Sequence, residues 1–237
     1  MRINNYISSS GLCSRRQADE WIEQGKVKIN GTLATIGIEV NPDDRVEVNG
    51  KLLKPEKKHV YIALNKPPGI TCTTEQHIKG NIIDFINHPK RIFPIGRLDK
   101  ESEGLILLTS DGSIVNEILT DKNQYEKEYI VTVDKAITPS FLEAMSSGVR
   151  IYNPVKKEYT VTLPCEISKL NSMIFKIVLT QGLNRQIRRM CDVFGYEVVK
   201  LIRTRIMNIE LKYLPIGMWR DLTPKEVKSI LDTKKER

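Results

Sequence analysis

The chain of 237 residues is 40% hydrophobic and 28% charged. This length allows one large domain or two smaller ones with packed cores, and the composition is ordinary for a soluble globular protein. The formal net charge of +8 favours an anionic partner such as nucleic acid, although a surface that is basic only for solubility fits the charge equally well.

What the chain lacks argues against several classes of protein. Residues 1–6 contain no apolar run of a secretory signal, and no later stretch is long and apolar enough to cross a bilayer. We therefore expect a cytoplasmic protein without membrane contact. The cysteines form no Cys-x-x-Cys pair and the histidines show no ligand spacing, so we expect reduced thiols and no metal site. These residues are Cys13, Cys72, Cys165, Cys191, His59, His77 and His88.

The first part of the chain has the pattern of a helix followed by a hairpin. Ser14 and Gln17 form a capping box that opens the helix, and Gly25 is well placed to end it. Its apolar face consists of Ala18, Trp21 and Ile22. Alternating segments at 26–29 and 45–48 predict short strands, with a turn at Asn30–Gly31. We predict a small domain over residues 1–53, a linker at 54–59 and a second domain at 60–237.

Arg15 and Arg16 lie in the first turn of the predicted helix, where the helix dipole favours anions over cations. Two cations there cost a little stability unless an anion binds across them, so both are candidates for contacts with an anionic partner such as nucleic acid. A mildly unfavourable pair of solvated arginines explains the pattern equally well.

The second domain has the pattern of an α+β fold. Strand-like segments occur at 60–64, 104–109, 128–133, 159–163, 174–180 and 205–211. Helices are predicted from Asp111 to Leu119, from Thr138 to Met145, and after a capping box that begins at Thr223. Many strands with few crossover helices predict a mixed, mostly antiparallel sheet.

A charged loop between Gly96 and Gly104 runs directly into an apolar strand. Loops held by a rigid scaffold often carry catalytic groups, and this loop contains Asp99 two residues after Arg97. On chemistry alone Asp99 is only a candidate, because an aspartate in a glycine-flanked loop is more often a solvated turn residue.

A predicted helix from Asn184 to Gly195 carries three arginines. Arg185 and Arg189 lie opposite its apolar stripe, whereas Arg188 falls on the flank, from which it can reach a buried carboxylate. The stripe consists of Ile187, Met190, Cys191 and Phe194. These arginines and the downstream cations predict a phosphate-binding stripe, for which solvation is the alternative explanation. The downstream cations are Lys200, Arg203 and Arg205.

Four segments of the chain resemble, in order, motifs of the pseudouridine synthases of the RsuA/RluB/RluE/RluF group. Residues 96–105, which include Gly96-Arg97-Leu98-Asp99, resemble the catalytic motif of that family. The other three matches are residues 65–69, 127–129 and 182–190. Residues 1–53 resemble an S4 RNA-binding domain, on positions that include Ser14, Arg15, Arg16 and Asn30–Gly31. Residues 126–135 and 184–189 are most similar to the RluF branch. The chain departs from that pattern in two ways: it has Glu103 where a glutamine is expected, and it lacks a long basic tail.

The resemblance implies conversion of a uridine in RNA to its C-glycoside isomer, in which the N1–C1′ bond breaks, the uracil turns and C5 bonds to C1′. Nothing is oxidised, hydrolysed or transferred to another molecule, so no cofactor or metal is required. Asp99 would act at the sugar as nucleophile or base, kept ionised in a dry pocket by Arg188. The implied partner is large-subunit ribosomal RNA, with transfer RNA left open as a second substrate. We expect a monomer.

The resemblance also suggests roles for neighbouring residues. The target base lies inside folded RNA and must be turned out. Tyr129 would stack on the uracil and relay the C5 proton, although without the motif a strand tyrosine more often packs in a core. Arg97 would fill the vacated position in the RNA, Ile187 would line the pocket, and Lys66 and Pro67 are expected to be mainly structural.

Two other functions fit parts of the sequence. A non-catalytic S4-type RNA-binding or ribosome-assembly protein fits the first domain and the charge, but it leaves Asp99, Tyr129 and Arg188 unexplained. An aspartate-based nucleoside glycosidase would use Asp99 and Glu103 as paired carboxylates. It would release free uracil, whereas isomerisation releases nothing.

Overall fold

A computed structural model describes residues 1–54, 58–119, 125–154 and 157–232. They divide into two compact units. The first consists of Met1–Val60, His88–Phe93 and Thr109–Gly112, and the second of the other described residues. The predicted boundaries at 53 and 60 stay a prediction, because residues 55–57 of the proposed linker lie outside the described residues. The charged end at 234–237 lies outside them as well.

The first unit contains two helices and a small antiparallel sheet. Helix α1 is Ile3–Ser9 and α2 is Arg15–Glu23. The sheet has the strand order β2-β1-β3-β4. Its strands are β1 (Val27–Ile29), β2 (Thr32–Leu33), β3 (Val46–Val48) and β4 (Lys51–Leu52).

The predicted cap and turn of the first unit are confirmed. Ser14 Oγ accepts a hydrogen bond of 3.1 Å from the Gln17 backbone N–H, and Gly25 follows the helix with a φ of +66°. Asn30 and Gly31 both have positive φ, as a tight turn of this kind requires. Helix α1 was not expected. Its only apolar signal is the fully buried pair of Ile3 and Ile7, four residues apart in a single short helix.

The second unit is built on a mixed sheet of nine strands, in which β11-β12-β8-β13-β7-β5-β15 are neighbours, β14 pairs with β13 and β6 pairs with β7. Among the pairs of this sheet whose register is known, β13 and β7 are parallel and the other five are antiparallel, so the expected α+β class with a mostly antiparallel sheet is confirmed. The strands are β5 (Tyr61–Lys66), β6 (Phe93–Ile95), β7 (Glu103–Thr109), β8 (Lys127–Val133), β9 (Arg150–Asn153), β10 (Glu158–Val161), β11 (Glu166–Lys169), β12 (Ile174–Leu179), β13 (Val198–Ile206), β14 (Ile209–Glu210) and β15 (Trp219–Asp221). A separate two-stranded sheet joins β9 and β10.

Five helices belong to the second unit, and in the described ranges no helix is long and apolar enough to span a membrane. They are α3 (Ile82–Ile86), α4 (Val115–Leu119), α5 (Pro139–Ser146), α6 (Gln186–Val193) and α7 (Pro224–Asp232). Helix α5 begins as predicted, with Thr138 Oγ1 accepting from the Phe141 N–H at 3.1 Å. Helix α4 begins at Val115, later than predicted, and the Asp111 backbone N–H donates to Thr109 Oγ1 at 2.9 Å in the segment before it.

One predicted strand is wrong in its extent. Residues 205–211 were expected to form a single strand, but the chain turns between β13 and β14, where Met207 has a φ of +53°. Neither glycine nor proline marks this turn. Strand β13 ends at this turn. It begins at Val198, earlier than predicted, and contains Lys200, Arg203 and Arg205.

Helix α6 packs its apolar stripe onto β8, β12 and β13 and thereby positions the residues of the site. Ile187, Met190 and Cys191 are buried in one cluster with strand residues such as Val131 and Ile177. Gln186 is also buried, which the sequence pattern did not indicate. The flank of this helix then faces the polar loop that leads into β7.

Helix α7 begins with the predicted capping box, and an arginine also binds the glutamate of that box. Glu226 accepts from the Thr223 N–H at 2.8 Å, and Thr223 Oγ1 accepts from the Glu226 N–H at 3.3 Å. Arg220 on β15 donates twice to the same carboxylate, at 2.7 and 2.8 Å. The hydrogen bonds from Arg220 and Thr223 lower the pKa of Glu226 from 4.5 to about 2.

Glu226→Gln should lower the free energy of unfolding at neutral pH by about 1 kcal/mol, because the charge that pairs with Arg220 is lost. A carboxyl group with a depressed pKa stabilises the folded state above its ordinary pKa of 4.5, and this contribution disappears as the pH falls through about 2. Urea unfolding at several pH values should show the two proteins converging in acid. The exposed Glu210→Gln is the matched control, and a difference that persists at the lowest pH would contradict the assignment.

Candidate active site

Three neighbouring strands align a tyrosine, an arginine and a glycine across the sheet. In the register of β13, Arg203 pairs with Tyr129 of β8 on one side and with Gly104 of β7 on the other. Gly104 has a φ of +112°, and a Cβ at this position would collide with the backbone of Arg203. Glycine therefore allows β7 to approach β13 closely, immediately after the loop that contains Asp99.

The backbone of that loop is held on both sides of Asp99. The Lys100 carbonyl oxygen accepts from the Gly69 N–H at 2.7 Å and from Lys66 Nζ at 3.3 Å. On the other side, the Arg97 carbonyl oxygen accepts from Arg203 Nη1 at 3.3 Å. The loop is thus fixed to β5 and to β13.

Lys66 is fully buried, and its ammonium group donates to three carbonyl oxygens, those of Pro67, Ile70 and Lys100. Burial lowers the pKa of this lysine, and the nearby charge of Arg203 acts in the same direction. These contacts agree with the structural role that the sequence suggested for Lys66.

Arg188 lies beside Asp99, as its place on the flank of the helix indicated. Arg188 Nε is 4.0 Å from Asp99 Oδ2 and 3.7 Å from Glu101 Oε1. Its two other nitrogens donate to the Val198 carbonyl oxygen at 2.9 Å and to the buried Ser102 hydroxyl at 3.2 Å. The arginine side chain is 12% exposed and that of Asp99 27%, so the carboxylate stays open to a ligand.

The sequence did not single out Glu101, which forms an ion pair with Arg185 at the start of α6. Burial raises the pKa of Glu101, but the hydrogen bond from Arg185 and the nearby positive charge of Arg188 outweigh it, so the pKa is lowered overall. A second acid two residues after Asp99, in a chain with an arginine-rich helix, was the available signal. Glu101 is therefore charged and attracts both arginines.

Tyr129 and Ile187 lie on the face of the sheet that α6 covers. Ile187 is buried, and the half-buried Tyr129 packs against the same cluster. Directly paired residues of antiparallel strands project to one face, so Tyr129 projects to the same face as Arg203, whose guanidinium reaches the Asp99 loop. The register thus brings the tyrosine and the carboxylate to one side of the sheet.

The cations that were expected to contact RNA differ in their exposure and in their intramolecular partners. Arg97 is exposed, as are Arg15 and Arg16 in the first unit. Lys200 is half exposed and lies 3.4 Å from Glu103. The other cations have intramolecular partners: Arg185 pairs with Glu101, Arg189 donates to the Asn184 carbonyl oxygen, and Arg205 pairs with Glu126.

Arg203 is a correction to the expected phosphate-binding stripe. Its side chain is buried, with only 4% of the residue exposed. Two of its nitrogens donate to the carbonyl oxygens of Leu105 and Arg97. A phosphate cannot reach this side chain while the sheet is intact. The sequence analysis placed the start of this strand at residue 205, so Arg203 was not recognised as a strand residue. Its inward direction was missed for that reason.

Within the described ranges, no group of three or more histidine, cysteine, aspartate or glutamate residues is placed to hold a metal ion. The four cysteines are free thiols. Burial raises the pKa of Cys165 to about 11 and that of Cys191 to about 12, so neither is a reactive thiolate at neutral pH.

Comparison with known proteins identifies the family of this site. Residues 60–192 match the model for RNA pseudouridylate synthases, and residues 1–46 match the S4 domain. The chain belongs to the RNA pseudouridylate synthase family. It is an isomerase of uridine in RNA. The resemblance seen in the sequence is confirmed, and the non-catalytic alternative is wrong.

The relatives extend this match over most of the chain. The dual-specificity RNA pseudouridine synthase RluF of Escherichia coli K12 is 57% identical over 229 residues, which cover 96% of this chain and 77% of that protein. The ribosomal large subunit pseudouridine synthase B of Bacillus subtilis is 39% identical, over 97% of this chain and 95% of the relative. A crystal structure of a pseudouridylate synthase has a TM-score of 0.71 and 29% identity, and the match covers 97% and 99% of the two chains.

Glu101→Gln should strengthen RNA binding at low salt, because Arg185 loses its intramolecular anion and becomes available to phosphate. Stability should change by less than about 1 kcal/mol, since the two side chains of the pair are 40% and 45% exposed and solvent screens their attraction. Binding of a labelled RNA at several salt concentrations, together with thermal unfolding, tests both statements. Glu143→Gln, which changes the charge equally on an exposed part of α5, is the control. Weaker binding by Glu101→Gln alone would contradict the prediction.

Proposed function

We propose that this protein isomerises a uridine in large-subunit ribosomal RNA, with Asp99 as the catalytic carboxylate. The observation that carries the proposal is the fixed position of Asp99, between two anchored carbonyl groups and beside Arg188. The ribosomal substrate is supported by the Bacillus subtilis relative, whose name gives the large subunit as its target.

The reaction rearranges one nucleotide without a second reactant. The bond between N1 and C1′ breaks, the uracil turns while it stays in the pocket, C5 bonds to C1′, and the proton on C5 is replaced by one on N1. Asp99 acts at the ribose, as nucleophile or as base. Arg188 places a positive charge 4.0 Å from this carboxylate and attracts it.

Three further residues would hold the turned-out nucleotide. Tyr129 offers an aromatic face to the uracil and a hydroxyl group near C5, and Ile187 closes the apolar side of the pocket. Arg97 is exposed beside the loop and would take the place of the base that has left the RNA stack.

RNA contacts outside the pocket would come from exposed or half-buried cations of both units. We propose Arg15 and Arg16 in the first unit, and Arg97, Arg185, Arg189, Lys200 and Arg205 in the second. The name of the Escherichia coli relative describes two specificities, which supports a second RNA substrate for this chain, and transfer RNA is the one that we would test. We further propose that the enzyme acts as a monomer in the cytoplasm.

Asp99→Asn should abolish pseudouridine formation and leave folding and RNA affinity nearly unchanged, because only a charge is removed from a solvent-accessible side chain. Yield is measured on ribosomal RNA with the purified enzyme, and affinity in the same buffer. Asp43→Asn, in an exposed turn of the first unit, is the matched control. A normal yield from Asp99→Asn would end the catalytic assignment.

The RNA target itself is identified by mapping pseudouridine in the total RNA of cells that contain the wild-type gene, the Asp99→Asn gene or no gene. A position in large-subunit RNA that depends on the wild-type gene supports the proposal. If the only pseudouridine that disappears without the wild-type gene lies in transfer RNA, then transfer RNA is the substrate and ribosomal RNA is not.

Arg15→Ala/Arg16→Ala should weaken RNA binding about equally for all sequences. Each lost phosphate contact should make the plot of log affinity against log salt shallower by roughly 0.7 to 0.9. Helix α2 should be no less stable, since two cations leave the positive end of its dipole. Lys225→Ala/Lys228→Ala removes the same charge from the exposed side of α7 as a control. An unchanged salt slope would show that the two arginines are merely solvated.

A further inference from the structure

The two carbonyl groups that flank Asp99 are each held by a buried cationic side chain. Lys66 donates to the Lys100 carbonyl oxygen and Arg203 to the Arg97 carbonyl oxygen, each at 3.3 Å. The peptide that carries Asp99 is therefore held on both sides. On the Arg97 side the backbone of Leu98 also forms a hydrogen bond with Cys72, and Arg203 supplies the charged donor.

Arg203 is well suited to define the position of this loop. It lies in the interior of the sheet, and its Nε donates to the Leu105 carbonyl oxygen at 2.7 Å. The rigid guanidinium plane thus connects Leu105, the third residue of β7, with Arg97, which lies two residues before Asp99. The close approach of Gly104 keeps the two strands at the separation that this bridge requires.

The energetics of Arg203 argue for a role other than stability. Its third nitrogen, Nη2, is buried and has no hydrogen-bond partner in the described part of the chain. A buried donor without a partner costs about 1–3 kcal/mol, and apolar side chains often replace buried charges without loss of stability. An unsatisfied group of this kind, retained next to a catalytic loop, is expected where position matters for function.

We propose that Arg203 is a positioning residue that sets the location of the Asp99 carboxylate relative to the ribose. This inference rests on the proposed role of Asp99. Arg203 touches no substrate atom and acts only through the backbone of the loop. Its loss should therefore slow the chemical step and leave RNA affinity unchanged, because the buried guanidinium is inaccessible to phosphate.

The test compares Arg203→Met and Arg203→Lys with the wild-type enzyme in single-turnover reactions at saturating RNA, well below the unfolding temperature. A shift of the carboxylate by about 1 Å should lower the rate constant roughly 100-fold for Met. Lysine has a single ammonium group instead of the forked guanidinium, so the rate of Arg203→Lys should lie between those of Arg203→Met and the wild type. The Kd for RNA and its salt slope should match those of the wild type.

Arg220→Met is the matched control for the loss of a structural arginine. Arg220 holds the capping box of α7, so this variant should be less stable but should keep its single-turnover rate at low temperature. Asp99→Asn in the same assay separates the two proposals. If that variant is active, the role of Asp99 is wrong; if it is inactive while Arg203→Met is as fast as the wild type, only the role of Arg203 is wrong.

Two other outcomes would also overturn the inference. A shallower salt slope for Arg203→Met, with a normal rate at saturation, would make Arg203 a phosphate contact after all. Failure of both Arg203 variants to fold would show that the side chain supports the whole sheet rather than the loop.

Discussion

The close contact between β7 and β13 at Gly104 and Arg203 is the constraint on which the site depends. Because glycine leaves no Cβ at this position, the two strands can meet where the Asp99 loop ends. The contact brings the loop to the guanidinium of Arg203 and, one strand further, to Tyr129. The sheet places these groups, and α6 then adds Arg188 from the face that it covers.

The cations in this site fall into groups with different tasks. Lys66 and Arg203 are buried and hold backbone carbonyl groups, whereas Arg188 faces the carboxylates of Asp99 and Glu101. Arg185 is more exposed, and we propose that it belongs to the surface that meets RNA. The positive potential of the whole chain thus divides into a structural part inside the sheet and a binding part outside it.

Local patterns predicted the parts of the structure that short-range chemistry determines. The cap at Ser14, the turn at Asn30–Gly31 and the flank position of Arg188 follow from neighbouring residues alone, and each was correctly expected. The burial of Arg203 and the pairing of Glu101 with Arg185 depend on strand register and on contacts between distant segments. The sequence shows that Glu101 and an arginine-rich helix are present, but it does not show which of these distant residues pair. The catalytic roles of Asp99, Tyr129 and Arg188 stay predictions.

The hydrogen bond between Arg203 and the Leu105 carbonyl oxygen joins residues that are 98 positions apart in the chain. During synthesis, the ribosome must therefore release residues beyond β13 before the Asp99 loop can take its final shape. Contacts of such long range form slowly, and domains that rely on them complete their folding late. A nascent chain that ends before β13 would have the carboxylate and the tyrosine but not the strand that pairs with both β7 and β8. If Arg203 has the role that we propose, activity on RNA begins only after most of the second unit has been made.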